Sequence, residues 1–215
     1  FLVQIRAMLR ASENNSNLKI MLPMISSIGE LDGALQLVNR AYEELINEEH
    51  LCIEKPPIGA MIEVPAAVYQ VDQLAKRVDF LSVGTNDLTQ YLLAVDRNNP
   101  RVAGLYNSFH PSVLSALHLI HEQASNAECE VSICGELAGD PLGAVLLVGL
   151  GYRHLSMSAG CLSRVKSMLL QVPARKARDL AERSIQITGA NEVMQFLAGE
   201  LKNPDLIKLY HRSIE

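Results

Sequence analysis

The stretch Val78-Asp-Phe-Leu-Ser-Val-Gly-Thr-Asn-Asp87, continuing as Leu88-Thr-Gln-Tyr91, decides the fold. Its β-forming run stops at Gly84, delivers Thr85, Asn86 and Asp87, and gives way to a helical pattern. It therefore reads as a buried strand with polar chemistry at its C-terminal end. Such ends are where parallel α/β folds carry their active sites. Three other runs finish the same way: Ile58-Gly-Ala-Met-Ile-Glu63, Val131-Ser-Ile-Cys134 followed by Gly-Glu-Leu-Ala-Gly-Asp140, and His154-Leu-Ser-Met-Ser158. With these strands parallel, Glu63, Asn86, Asp87 and Cys134 converge on one face.

Working outward, Phe1 to Ala11 has the spacing of an amphipathic helix, and Leu18 to Ile25 reads as a strand with Pro23 near its end. Ser27 and Glu30 resemble a capping box ahead of a long helix marked by Leu31, Leu35, Val38, Tyr42 and Leu45. Ala66 to Leu74, Leu88 onward, and His110-Pro-Ser112 through Ala127 follow as helices. Asp140-Pro-Leu142 starts another, with Asp as N-cap and Pro at the first helical position; Gly149 and Gly151 end it. Helices over Leu162 to Leu170, Ala174 to Ile185 and Asn191 to Leu201 close the chain, with one more expected over Asn203 to Ser213. Strand and helix alternate about five times through short connections, which predicts a parallel sheet with helical crossovers in a single domain over 1–215.

The totals narrow the classes. A chain of 215 residues with 48% hydrophobic and 20% charged residues is an ordinary globular domain. A net charge of -5 without a basic run gives no electrostatic footprint for nucleic acid. Four cysteines, at Cys52, Cys129, Cys134 and Cys161, show neither CxxC spacing nor a paired framework, so a cytoplasmic protein is expected. No run approaches the roughly 20 apolar residues of a membrane span. Beginning at Phe1 with no initiator Met, the chain reads as a piece of something longer.

Glu63 and Asp87 each end an apolar strand, where a carboxylate is costly unless ionised against a cation. One reading is magnesium, which takes one or two protein carboxylates and completes its shell with water and phosphate oxygens. The other is an arginine partner or a helix cap. Asn86 can donate to a phosphate oxygen. Arg97 offers either a planar fork for phosphate or carboxylate or a solvated partner for a helix dipole. Cys134, before Gly135, is either a ligand-facing thiol or an inert buried one.

The motifs Asp79-Phe-Leu-Ser-Val-Gly-Thr-Asn-Asp-Leu-Thr-Gln-Tyr91, Ala94-Val-Asp-Arg97 and Cys134-Gly-Glu-Leu-Ala-Gly-Asp140 resemble the signatures of the phosphoenolpyruvate-utilising enzymes, particularly Enzyme I of the bacterial phosphotransferase system. Ile62-Glu-Val-Pro-Ala66 matches that family's metal-binding strand end, and the resemblance runs from Phe1 to about Leu201. Lys76-Arg-Val-Asp79, Asp96-Arg-Asn-Asn99 and Gly149-Leu-Gly-Tyr-Arg-His-Leu-Ser-Met157 look most like the nitrogen-related branch.

The resemblance implies a (β/α)8 TIM barrel, here a partial barrel of about five strands forming its C-terminal portion. It implies Mg2+ held by Glu63 and Asp87, phosphoenolpyruvate gripped by Asn86 and Arg97, and Cys134 as the acid that protonates the enolate as pyruvate forms. The phosphoryl acceptor is a histidine on a separate phosphohistidine domain, which in turn serves a histidine-containing phosphocarrier protein. None of the six histidines here matches that acceptor. The family also implies a homodimer. The first three strands and two upstream arginines of the pocket have no counterpart in this sequence, which predicts two open sheet edges and a half-exposed apolar lining. Lys19 stands where the family has a basic pocket residue. Two other readings are open: a pyruvate phosphate dikinase-type enzyme, whose pattern has His-Gly-Gly where this chain has Leu137-Ala-Gly139, and a non-catalytic dimerisation or regulatory module.

Overall fold

The computed structural model describes residues 1–49 and 53–201. Helix α1 (Leu2–Ala11) leads into β1 (Ile20–Leu22), and α2 (Ile28–Glu49) crosses to β2 (Ile58–Ile62). Two short helices, α3 (Pro65–Val68) and α4 (Val71–Ala75), cross to β3 (Phe80–Gly84). Next come α5 (Thr85–Leu93), a 3₁₀ turn at Ala103–Leu105, α6 (Pro111–Asn126) and β4 (Glu130–Cys134). Helices α7 (Glu136–Gly139) and α8 (Pro141–Leu150) lead to β5 (His154–Ser156), which is followed by α9 (Ala159–Gln171), α10 (Ala174–Ser184) and α11 (Ala190–Leu201). No helix among the described residues is long and apolar enough to cross a membrane.

The five strands pair in the order β1-β2-β3-β4-β5, every pair parallel. A doubly wound sheet reverses its strand order at a switch point; this one never does. Each right-handed crossover therefore advances in the same direction and lays its helix on the same face. The fold is α/β, five consecutive units with the winding of a (β/α)8 barrel, and among the described residues the sheet is open at β1 and β5.

Register separates the two faces. Leu22, Ala60, Leu81 and Val131 align across one side, as do Ile62, Val83, Ile133 and Leu155. These belong to the hydrophobic core or pack against it. The opposite side carries Met21, Gly59, Phe80 and Glu130 in one row and Met61, Ser82, Ser132 and His154 in the next. Gly84, Cys134 and Ser156 form the third row. That lining is half-exposed as expected, but only partly apolar, through Met21, Phe80 and Met61. Small and polar side chains take over toward the C-terminal ends. Outside the sheet, α1, α2, α4, α6, α8 and α10 form successive packed neighbours, and α11 continues against α8 and α10. The terminal helices thus extend the outer layer.

Several expectations shift in detail. The strand expected over Leu18 to Ile25 contracts to Ile20–Leu22, because Pro23 has no N–H to donate and Met24 turns to φ 57°. The single helix expected over Ala66 to Leu74 divides at Tyr69 and Gln70, where the Gln70 amide donates to the carbonyls of Ala66 (2.9 Å) and Ser26 (3.1 Å). In the capping box, Ser27 Oγ accepts from the Glu30 N–H at 3.3 Å, but the Glu30 carboxylate reaches the Ser26 N–H (2.8 Å) instead of closing on Ser27. Asp140 caps α8 as expected, accepting from the N–H groups of Leu142 and Gly143. The helix expected over Asn203 to Ser213 lies outside the described residues.

Gly149 sits inside α8 and does not end it; the C-cap is Gly151. Its role is close approach, since a Cβ at 149 would lie 2.1 Å from the Ala177 carbonyl oxygen of α10. Gly149→Val is expected to force α10 away from α8 and to destabilise the protein by about 1–3 kcal/mol. Urea unfolding followed by circular dichroism measures this, and an unchanged midpoint would show that α10 does not rest on α8.

Candidate functional site

Because all five strands run the same way, Glu63 after β2, Asn86 and Asp87 after β3, and Cys134 at the end of β4 emerge on one rim. Helix α5 begins at Thr85, three residues earlier than its apolar pattern indicates. Asn86 and Asp87 therefore lie in its first turn instead of in a loop, and the carboxylate of Asp87 sits at the positive end of the helix.

Glu63 is 4% exposed. Its Oε1 accepts from the Met24 N–H at 2.8 Å, which is the use to which the left-handed Met24 is put. Its Oε2 faces Gly84, where a Cβ would come within 2.7 Å, so only glycine leaves this carboxylate room across the end of β3. Burial pushes the Glu63 carboxyl above its ordinary range; the Met24 N–H opposes the shift and the nearby Asp87 charge adds to it.

Asp87 and Arg97 meet at 3.4 Å. The chain returns for this contact through the left-handed Ala94 (φ 52°) that closes α5, and the Arg97 N–H is then held by Gln90 Oε1 at 3.3 Å. Asn86 is fixed at two points. Its Oδ1 accepts from the Glu136 N–H (2.9 Å), and its backbone carbonyl accepts from the Tyr106 hydroxyl (3.2 Å). The amide nitrogen of Asn86 is thereby left as the end that can donate to a ligand. Gly135 makes the junction possible: it sits at φ 126°, and a Cβ there would lie 2.2 Å from Thr85 Oγ1.

Cys134 stands in register with Gly84. Its thiol accepts from the Ser82 hydroxyl (3.3 Å) and donates to the Val83 carbonyl (3.4 Å), while its own carbonyl accepts from Thr85 Oγ1 (3.3 Å). Behind Ser82, Ser132 donates to Ser82 Oγ at 3.0 Å. Sequence reasoning passed over Ser82, Ser132 and Tyr106. The serines were signalled by strand periodicity, each two residues before a rim residue on the same face. Tyr106 carried no such signal.

Lys19 is not at this rim. It precedes Ile20, which pairs with the first residue of β2, and its ammonium lies 5.4 Å over the Phe80 ring at the opposite ends of the strands. A hollow of about 710 Å³ adjoins Asn86, lined by Tyr106, Phe109, Glu136, Leu137, Asp140 and Met194 among others. A smaller one, about 330 Å³, lies among His121, Arg153 and Arg178 at the far end.

Among the described residues no group of three or more His, Cys, Asp or Glu could hold a metal. The donor set at the rim is instead two carboxylates, one of them buried with a single N–H partner named above. This fits a hard divalent cation that completes its shell with water and ligand oxygens, and it does not fit zinc.

A sequentially wound parallel α/β sheet with its polar chemistry gathered on the C-terminal rim defines the class of protein. The particular family comes from comparison. Residues 1–174 match the model described as PEP-utilising enzyme, PEP-binding domain, and the chain belongs to that family. It is 50% identical over 201 residues to an Escherichia coli protein named "Phosphoenolpyruvate-dependent phosphotransferase system", covering 92% of this chain and 26% of that one. A Salmonella typhimurium protein of the same name is 50% identical over 198 residues. A "Phosphoenolpyruvate-protein phosphotransferase" of Haloferax volcanii is 42% identical over 199 residues, 35% of its length. The chain thus spans about a quarter to a third of these relatives. Among solved structures it resembles a citrate lyase from Burkholderia xenovorans, with TM-score 0.57 and 17% identity over 78% of this chain and 53% of that one, a likeness of fold.

The raised Glu63 carboxyl has a thermodynamic consequence in chelator-treated protein. The folded state binds its proton more tightly than the unfolded state, so stability falls as pH rises from the ordinary carboxylate range through the elevated one, and stays reduced above it. Glu63→Gln is expected to raise the denaturation midpoint at neutral pH and to remove that decline. A lower midpoint for the variant, with the decline intact, would show that the carboxylate is not desolvated.

Proposed function

We propose that this chain supplies part of the phosphoenolpyruvate site of a phosphoenolpyruvate-protein phosphotransferase. That enzyme moves the phosphoryl group to a histidine of a separate domain, releases pyruvate, and hands the phosphoryl group on to a histidine-containing phosphocarrier protein. The observation that carries this reading is the convergence of Glu63, Asp87, Asn86, Arg97 and Cys134 on one rim. The nitrogen-related branch is proposed with it. In support stand Lys76-Arg-Val-Asp79, Asp96-Arg-Asn-Asn99 and Gly149-Leu-Gly-Tyr-Arg-His-Leu-Ser-Met157, which resemble that branch.

Glu63 and Asp87 would hold Mg2+, which when bound neutralises and orients the phosphate and enolate oxygens. Arg97 offers its guanidinium fork to the oxyanion. It exchanges the 3.4 Å contact with Asp87 for a ligand contact of the same kind. Asn86, held by Glu136 and Tyr106, directs its amide N–H at a phosphate oxygen without reorganising. After the phosphorus–oxygen bond has broken, Cys134 delivers its proton to the methylene carbon of the enolate.

Leu137 and Ala138 favour this reading over a dikinase. Both are buried in the core, so the position that carries histidine in the dikinase pattern is spent here on packing. A homodimer belongs to the proposal, supported by the exposed side chains of Leu162 and Leu170 on α9. A cytoplasmic location is supported by Cys129, Cys134 and Cys161, all free thiols.

In the complete phosphotransferase, Asp87→Ala is expected to abolish phosphoryl transfer at any practical Mg2+ concentration, measured as pyruvate release; full activity would remove Asp87 from the site. Cys134→Ser separates two steps. Phosphorylation of the enzyme in a single turnover should survive better than steady pyruvate formation, and equal loss of both would assign Cys134 to binding or packing.

A further inference from the structure

Ser82 and Ser132 face one another in register on the open lining of the sheet, directly below Cys134. Ser82 is 4% exposed, and a hydroxyl so buried needs a partner. It finds the Cys134 sulfur at 3.3 Å. A neutral thiol is a poor acceptor, whereas a thiolate is a charged one, so this hydrogen bond gains strength only when Cys134 has lost its proton.

The direction of the chain is set by counting protons. The thiol proton of Cys134 goes to the Val83 carbonyl (3.4 Å), and the Ser82 proton goes to Sγ. Ser82 Oγ can then only accept, and the hydroxyl of Ser132, 3.0 Å away, supplies the proton. Ser132 has an alternative acceptor in the Leu81 carbonyl at 3.4 Å. The shorter contact favours Ser82.

We propose that Ser82, oriented by Ser132, is a positioning residue for Cys134: it holds the thiol at the rim and stabilises the thiolate left when the proton is given away. The proposal rests on the reading of Cys134 as the acid of the reaction. In that step the S–H bond breaks and a C–H bond forms at the enolate carbon. The electron pair stays on sulfur under the Ser82 hydroxyl, and a proton from solvent water restores the thiol. Val83, which accepts the thiol proton at rest, has only a backbone carbonyl and cannot support the anion.

The test begins away from catalysis, with the rate at which iodoacetamide alkylates Cys134 at neutral pH. Cleavage after Glu130 and Glu136 separates the Cys134 peptide from those of Cys52, Cys129 and Cys161 for mass spectrometry. Ser82→Ala is expected to slow that alkylation by about tenfold, because the thiolate fraction falls faster than the remaining thiolate gains nucleophilicity. Ser82→Thr, which keeps the hydroxyl, should restore most of the rate. Ser132→Ala should give a smaller loss, and it keeps the test open should Ser82→Ala not fold. In the complete phosphotransferase, Ser82→Ala should lower kcat for pyruvate formation with little change in KM. Wild-type alkylation in folded Ser82→Ala and Ser132→Ala overturns the proposal. Slowed alkylation with unaltered pyruvate formation supports the hydrogen bond and overturns instead the reading of Cys134 as the acid.

Discussion

Parallel pairing is the constraint from which the rest follows. Two parallel strands cannot be joined at adjacent ends; the chain has to leave the C-terminal end of one and return to the N-terminal end of the next. Five strands paired this way send every departing segment out on the same rim. Glu63, Asn86, Asp87 and Cys134, scattered over more than a third of the sequence, are neighbours for that reason. The register of β3 with β4 then sets the finer spacing, placing Gly84 opposite Cys134 and Ser82 opposite Ser132.

Absent side chains matter as much as present ones. Gly84 leaves room for the Glu63 carboxylate, and Gly135 lets the start of α7 approach the start of α5 so closely that the Glu136 N–H reaches Asn86. A methyl group at either position would press on a side chain of the site. Apolar burial therefore holds the strands together from one face, while the opposite face is thinned to small residues so that polar groups can meet.

The apolar runs ending in Gly84, Glu63 and Cys134 disclosed the parallel sheet and its rim, because burial on one face and abrupt polar stops are written in the residues themselves. Boundaries were less legible. The α5 helix starts at Thr85, where a polar trio hides its first turn, and the helix after Pro65 breaks at Gln70 because a side chain takes over a backbone carbonyl. Lys19 was misplaced because the resemblance put it in the pocket, although its place at the start of a strand puts it at the end away from the rim. Tyr106 could not be found at all, since a hydroxyl reaching back 20 residues to the Asn86 carbonyl depends on the path of the intervening loop.

The open ends of the sheet carry a consequence for strand pairing. An unpaired strand edge is a template on which another chain can pair and grow. Here each edge strand is only three residues long. Exposed Lys19 and Pro23 flank one, and Arg153 precedes the other, whose first residue is exposed His154. Charge thus stands beside both edges, and Pro23 withholds an N–H donor next to the first. Among the described residues, edges this brief offer little length along which a second chain could pair.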